Sequence, residues 1–280
     1  MKTSANKTRS CQIEYFFRPG KSWTDKQLTD YHIQLTEVAE DCFTQVPSYQ
    51  CLVGSREELS RVVLTVARNE AGRAVGFCSA VILDIDGYKN VLHLGLTCVK
   101  KEARGMGLTH QLTSKLLMNY LIRTSFFKRI WITNVACVLS SLGNVALYFE
   151  KIHPSPFRKD RPSRHHLRIA KAVDENFRKP IAINPDAVLD LENFVFRGSV
   201  NNTVFKKSAK DSRYYHRKPE LTDYYLSRLD FKNGDEIIQI GQIGLLSYPK
   251  YYLKMGVLKV VKATTMPIRR VKTALFPNKI

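Results

Sequence analysis

Residues 99–109 read Val99-Lys100-Lys101-Glu102-Ala103-Arg104-Gly105-Met106-Gly107-Leu108-Thr109. The preceding segment, Val91–Val99, is mostly apolar and predicts a β-strand. After Gly107 the apolar residues recur at helical spacing, which predicts an amphipathic helix. Those residues are Leu108, Leu112, Leu116, Leu117, Tyr120 and Leu121. A strand therefore turns into a helix across a short basic loop that contains two glycines.

Such a turn has the properties of an anion-binding site. The first amides of a helix have no partner within the helix, and the helix dipole adds partial positive charge there. Gly105 and Gly107 carry no Cβ, so a phosphate can approach the backbone closely. Lys100, Lys101 and Arg104 add formal charge. The loop from Arg104 to Thr109 is therefore predicted to hold a pyrophosphate.

Two other phosphate-binding loops do not fit these residues. A Walker-A loop needs Gly-Lys-Ser/Thr at the helix start, whereas Gly107 is followed by Leu108-Thr109. A dinucleotide fingerprint needs a third glycine, and His110 stands at that position.

The segments on either side of this loop predict an α+β (α/β layered) fold. Turn signals separate three apolar runs, which should form an antiparallel meander; they are Val62–Ala67, Ala74–Ile85 and Val91–Val99. A further strand, Arg129–Ala136, and a helix from about Ser140 to Ile152 follow the long helix. This order of strands and helices is typical of layered folds.

At the loop the sequence resembles the GNAT superfamily of acyl-CoA N-acyltransferases, whose signature is Gln/Arg-x-x-Gly-x-Gly/Ala. Arg104 and Gly107 match this signature, and Thr109 departs from its last small residue. Family members often also carry an Asn near the start of the fourth helix and a Tyr four residues later, as at Asn144 and Tyr148. The resemblance covers residues 10–155. It implies the GNAT fold, a mixed, mostly antiparallel sheet flanked by helices, with a basic C-terminal extension or insertions.

The resemblance also implies a cofactor site for acetyl-CoA or another acyl-CoA, with no metal. The pyrophosphate would lie on Arg104, Gly105, Met106, Gly107, Leu108 and Thr109. The strand before the loop would splay from its neighbour, so that the backbone of Cys98, Val99 and Lys100 pairs with cofactor amides. Asn144 would position the pantetheine arm. Cys98 would be a small apolar residue there, with a covalent acyl-cysteine as a minor alternative.

The reaction that the resemblance implies is direct attack of an amine on the thioester. Tyr148 would protonate the departing thiolate, unless it is only a core tyrosine. The general base is not evident, because Leu92–Thr97 contains no acid. His93 has a suitable unperturbed pKa, but a structural histidine at a strand edge or a water chain are alternatives. The acceptor amine is not identified by the sequence.

The charge of the chain allows a second hypothesis. The formal net charge is +19 over 280 residues, and residues 151–280 hold 26 Lys/Arg against 12 Asp/Glu. Such a surplus attracts polyanions. A catalytically weak GNAT-like basic module that binds nucleic acid or an anionic membrane surface is therefore the alternative. Within it, Tyr251–Lys272 is a minor candidate for lying on a membrane.

The chain is expected to divide into a GNAT acetyl-CoA-binding core, residues 1–155, and a basic region, residues 156–280. The second region should complete the sheet and can supply a part that binds the acceptor. Strands are predicted at Asn193–Val200 and Asp235–Leu246, and Asn233-Gly234 suggests a hairpin that pairs 227–232 with 236–240. Six scattered cysteines and no visible secretory signal indicate a cytoplasmic protein with reduced thiols.

Overall fold

The predicted meander forms the centre of one sheet in the computed structural model, which describes residues 11–126, 128–158 and 160–247. In chain order the strands are β1 Gln12–Phe17, β2 Val62–Arg68, β3 Ala74–Leu83, β4 Val91–Val99, β5 Ile130–Ala136, β6 Glu150–His153, β7 Val188–Asp190, β8 Val195–Arg197 and β9 Glu236–Ile243. The helices are α1 Asp25–Glu40, α2 Arg56–Leu59, α3 Leu108–Thr124, α4 Leu139–Tyr148, α5 Arg164–Asn176 and α6 Pro219–Leu226.

The sheet is mixed and mostly antiparallel, as predicted. Its order is β1-β2-β3-β4-β5-β9-β8-β7, and β6 pairs with β9 beside this path. Only β4 and β5 pair in parallel among the described strands. Side-chain hydrogen bonds stabilise the turn between β2 and β3. There the side-chain oxygen of Asn69 accepts hydrogen bonds from the backbone amides of Ala71 and Arg73, at 3.1 and 3.0 Å. This is the behaviour that makes Asn a turn residue.

The helices cover both faces of the sheet. Helix α3 packs on β1–β4, and α4 packs on β5 and β9, on the same face. Helices α1 and α5 cover the other face, where α1 contacts β3 and β4 and α5 contacts β9. Helix α1 begins with a capping box, because the Thr24 side chain accepts the Gln27 amide while the Gln27 side chain accepts the Thr24 amide. A two-sided core therefore surrounds the central strands.

Three details differ from the sequence prediction. The helix expected to reach Ile152 ends at Tyr148, because Phe149 takes an extended conformation and the chain then pairs with β9 as β6. The segment 227–232 forms no strand. Its Asp230 carboxylate accepts the amides of Lys232 and Asn233 at 2.9 and 3.1 Å, so it folds into a compact turn. The partner of the start of β9 is β8.

The second part of the chain supplies β9, which lies directly beside β5. The two strands predicted there are present but shorter, as β8 and β9. The segment 130–149, which lacks charged side chains, forms β5 and α4. No helix in the described ranges combines the length and apolar character that crossing a membrane requires. The predicted tail 251–272 lies outside the described residues.

Strands β4 and β5 separate along their length. They pair only from Leu92 to Leu94 and from Ile132 to Asn134, although β4 continues to Val99. We call the space beyond these pairs the β4–β5 gap. The register of β4 on β3 also shifts near this point. At Gly95 a Cβ would lie 1.9 Å from the buried Gln50 side-chain oxygen, so that close approach requires glycine there.

Candidate active site

The glycine-rich loop has the conformation expected of an anion cradle. Gly105 and Gly107 have φ values of +84° and +69°, which glycine adopts without strain. A Cβ at Gly105 would meet no atom within 4 Å, and one at Gly107 would meet only the Gln111 side-chain nitrogen at 3.9 Å. Helix α3 starts directly after Gly107, with no side-chain cap and no acidic residue in its first turn. Open space therefore lies in front of an uncapped, positively polarised helix end.

The loop is fixed to the end of α1 through an acidic residue. The Asp41 carboxylate accepts the backbone N–H of Lys101 and lies 3.6 Å from the Lys101 ammonium. That backbone hydrogen bond is the main reason why the pKa of Asp41 lies below its ordinary value. Lys101 is therefore engaged within the protein, and Arg104 is the nearer basic side chain for a ligand in the gap.

Fewer backbone groups of β4 face the β4–β5 gap than the sequence predicts. The Lys100 amide donates to the Val75 carbonyl at 2.9 Å, so β3 already uses it. Because hydrogen-bonding direction alternates along an antiparallel strand, Cys98 also faces β3 whereas Val99 faces the gap. Two side chains confirm this orientation, since Cys42 Sγ and Arg104 Nε both lie 3.5 Å from the Val99 carbonyl oxygen and donate to it.

A cavity of about 640 Å³ occupies the gap. Six of the predicted site residues line it, and these are Cys98, Val99, Arg104, Thr109, Asn144 and Tyr148. The other predicted residues lie outside its lining, and they are Lys100, Gly105, Met106, Gly107 and Leu108. The two glycines belong to the loop that precedes Thr109, at the rim. The structure thus brings the loop, the strand edge and α4 to one cavity.

Asn144 and Tyr148 reach the cavity together because they are four residues apart on α4. Both side chains are partly buried. Tyr148 also packs against the core beneath α3. A cavity that holds Val99 on one wall and Tyr148 on another can place a thioester between a strand edge and a phenol.

His93 does not reach this cavity. Its side chain is only 1% exposed, and its two ring nitrogens lie 2.9 Å from Thr133 Oγ1 and 3.4 Å from the Tyr49 hydroxyl. Burial lowers the pKa of His93 to about 3. His93 is therefore a structural histidine and is not the general base.

Cys42 and Glu236 are among the ionisable residues in the lining that were not found from the sequence. Cys42 follows α1, and a hydrogen bond from the Cys98 thiol is the main cause that lowers its pKa to about 6. Glu236 begins β9, and burial raises its pKa to about 7. Each is distant in sequence from the loop and from α4, and neither belongs to a motif. Within the described residues, no group of three or more His, Cys, Asp and Glu side chains is arranged to hold a metal ion.

Comparison with known proteins gives one family match. Residues 22–153 match the sequence profile of the acetyltransferase (GNAT) family. No curated protein matches the chain. The match ends at the last residue of β6, so the profile includes the loop, the β4–β5 gap and α4.

Solved structures of the same family are similar to part of the chain. A protein assigned to the GNAT family from Desulfovibrio desulfuricans is 11% identical, with 45% of this chain and 74% of that chain covered and a TM-score of 0.32. An aminoglycoside acetyltransferase from an uncultured soil metagenomic sample, in complex with sisomicin, is 17% identical over 44% and 76%, with a TM-score of 0.32. The Escherichia coli N-acetyltransferase YhbS, in complex with CoA, is 19% identical over 53% and 69%, with a TM-score of 0.27.

The family assignment rests on the profile match, on the loop and α4 motifs inside it, and on the sheet topology described above. Residues 22–153 therefore form a domain of the acetyltransferase (GNAT) family.

Proposed function

We propose that the protein transfers an acyl group, most simply acetyl, from acyl-CoA to an amine by direct attack. The observation that carries this proposal is the cavity in the β4–β5 gap, which is lined by Val99, Arg104 and Tyr148 together. A thioester cofactor needs an anion site at one end and a reaction chamber at the other. The gap joins these two features.

The residues present fit a coenzyme A diphosphate and pantetheine arm. The diphosphate has room beside Gly105 and Gly107, where a Cβ would meet almost nothing. Arg104 supplies charge, and the start of α3 supplies backbone amides. The Val99 carbonyl faces the gap and can accept a pantetheine amide in place of the long Cys42 and Arg104 contacts. Asn144 lies on the α4 side of the same passage.

The reaction has a simple atomic balance. The amine nitrogen forms a bond to the thioester carbonyl carbon, and the carbon–sulfur bond breaks. Backbone amides near Val99 stabilise the negative charge that develops on the carbonyl oxygen. The Tyr148 phenol donates its proton to the departing thiolate sulfur. The proton that the attacking amine loses goes to a base.

We propose that the two regions predicted from the sequence bind different substrates. Residues 1–155 would form the cofactor-binding core, and residues 156–280 would complete the sheet and supply the acceptor side. The pairing of β9 with β5 supports this division, as do the cavity-lining residues Phe205, Lys207, Tyr214 and Glu236. A cytoplasmic location remains the proposal from composition. The family match does not support the nucleic-acid or membrane alternative.

Calorimetric titration of acetyl-CoA into the full chain tests the proposed function. We expect saturable binding and release of free CoA thiol when primary amines are added. The absence of binding at millimolar acetyl-CoA would remove the proposal, because the cavity would then have no cofactor.

A further inference from the structure

Glu236 is a buried carboxylate that no structural role explains. Its side chain is 8% exposed, and among the described residues it forms no salt bridge. One oxygen accepts a hydrogen bond from Ser199 Oγ at 2.7 Å. A buried carboxylate without a cationic partner is costly. Such groups are concentrated at functional sites.

The topology places Glu236 at the same end of the sheet as the β4–β5 gap. Its neighbour Ile237 pairs with Ala136, the last residue of β5. Side chains alternate along a strand, so Glu236 lies on the same face as Ile238, which packs in the core beneath α1. Tyr148 projects from α4 on the opposite face. The cavity that contains both residues therefore passes through the sheet.

One wall of the cavity is aromatic. Phe205 packs edge-on against Phe43 and Tyr49, with ring centroids 6.0 and 5.5 Å apart. The Lys207 ammonium lies 5.2 Å from the centre of the Tyr214 ring. All five of these side chains line the cavity with Glu236. Aromatic ring faces attract cations. Lys207 makes such a contact with the Tyr214 ring in the cavity wall.

We propose that Glu236 binds the ammonium group of the acceptor and takes its proton, and that the acceptor is a primary amine carried on an apolar or aromatic body. This assignment rests on the proposed function. The ammonium gives one proton to the Glu236 carboxylate, and the freed lone pair attacks the thioester carbon. The thiolate then takes the Tyr148 proton. The second proton that the nitrogen loses as the amide forms passes through water to Tyr148, and Glu236 gives its proton to bulk water, so that each turnover releases one proton.

The groups that face Glu236 give it a suitable titration range. Burial is the largest influence and raises its pKa to about 7, whereas the Ser199 hydrogen bond and the Lys207 charge act in the opposite direction. Tyr49 and Cys137 also face it, and burial raises the pKa of both groups, so they stay neutral near pH 7. Glu236 can therefore exchange a proton with an amine near neutral pH.

The test compares Glu236→Gln with the wild-type protein. Glutamine keeps the volume and an oxygen for Ser199 but cannot take a proton. The probes are acetyl-CoA with 2-phenylethylamine, and the neutral 2-phenylethanol for binding. We expect the wild-type protein to bind the amine more tightly than the alcohol and to acetylate it. In Glu236→Gln, we expect that preference to disappear and kcat/KM to fall by about 10²- to 10⁴-fold, the usual contribution of a general base.

Two further readouts separate this inference from the proposed function and from misfolding. Glu236→Gln should bind acetyl-CoA as the wild-type protein does, and the exposed Glu192→Gln should match the wild-type protein throughout. Ser199→Ala keeps the carboxylate but removes a hydrogen bond that lowers its pKa. The rise of kcat/KM with pH should therefore move to higher pH in that variant.

Several outcomes would overturn the inference. These are an equal affinity for the amine and the alcohol in the wild-type protein, unchanged turnover in Glu236→Gln, or an unchanged pH midpoint in Ser199→Ala. If the wild-type protein binds no acetyl-CoA, the proposed function fails. Amine binding without cofactor, compared between wild type and Glu236→Gln, then still decides whether Glu236 holds an ammonium.

Discussion

Replacing Gly107 by glutamate should strongly weaken cofactor binding while leaving the fold intact. The substitution places a carboxylate in open space at the N-terminus of α3, where the diphosphate is expected to lie. Gly107 has a φ of +69°, so a side chain there also costs about 1–2 kcal/mol of backbone strain. That strain affects stability. The effect on binding comes from charge and from lost space.

The size of the charge effect can be estimated from Coulomb's law. A carboxylate about 5 Å from a diphosphate with about two negative charges costs about 1.7 kcal/mol even at the dielectric constant of water. This corresponds to a loss of about 15-fold in affinity, and a lower effective dielectric constant makes it larger. Salt shortens the range of the repulsion, so titrations in about 10 mM salt should show the largest loss.

Gly72→Glu is the matched control. Gly72 has a φ of +74°, and a Cβ there would also meet no atom within 4 Å, but it lies in the β2–β3 turn away from the cavity. Calorimetry should show wild-type affinity for acetyl-CoA in this variant and at least a 15-fold loss in Gly107→Glu. Equal affinities in the two variants would refute the placement of the diphosphate.

Other predictions test neighbouring parts of the site. Tyr148→Phe should lower kcat with little change in KM for acetyl-CoA, because the phenol acts on the departing thiolate; steady-state kinetics would show an unchanged kcat if the acid role is wrong. The thiol form of Cys42 donates to the Val99 carbonyl, and its pKa is lowered to about 6, so iodoacetamide should modify Cys42 at a rate that rises through about pH 6 as that proton is lost, and CoA should protect it; peptide mass spectrometry that finds no protection would contradict its place in the cavity. Gly95→Ala should destabilise the protein by about 1–3 kcal/mol, because a Cβ would lie 1.9 Å from the Gln50 side chain; chemical denaturation with no loss of stability would contradict that contact.

The parts of the fold that follow from local patterns could be predicted from the sequence. The meander strands show apolar runs bounded by turn residues, and α3 shows a clear helical period. The glycines at 105 and 107 signal a special backbone conformation by their identity alone, and the structure gives both of them positive φ. Asn144 and Tyr148 could be paired because residues that are four positions apart on a helix lie on the same face.

The parts that depend on pairing between distant segments could not be predicted. The Lys100 amide is used by Val75 across the sheet, and only the strand register reveals this. His93 has the right chemistry for a base, but its burial depends on packing from several elements. Glu236 reaches the cavity because β9 inserts beside β5, more than 80 residues after the last motif residue. The sequence carries no local mark for that arrangement.

A crystal structure of the full chain grown with CoA would show directly where the cofactor binds. We expect the diphosphate at the backbone of residues 105–109, the pantetheine amides beside the Val99 carbonyl in the β4–β5 gap, and the sulfur directed toward Tyr148. A coenzyme bound on another surface, or one whose sulfur points away from α4, would contradict that placement.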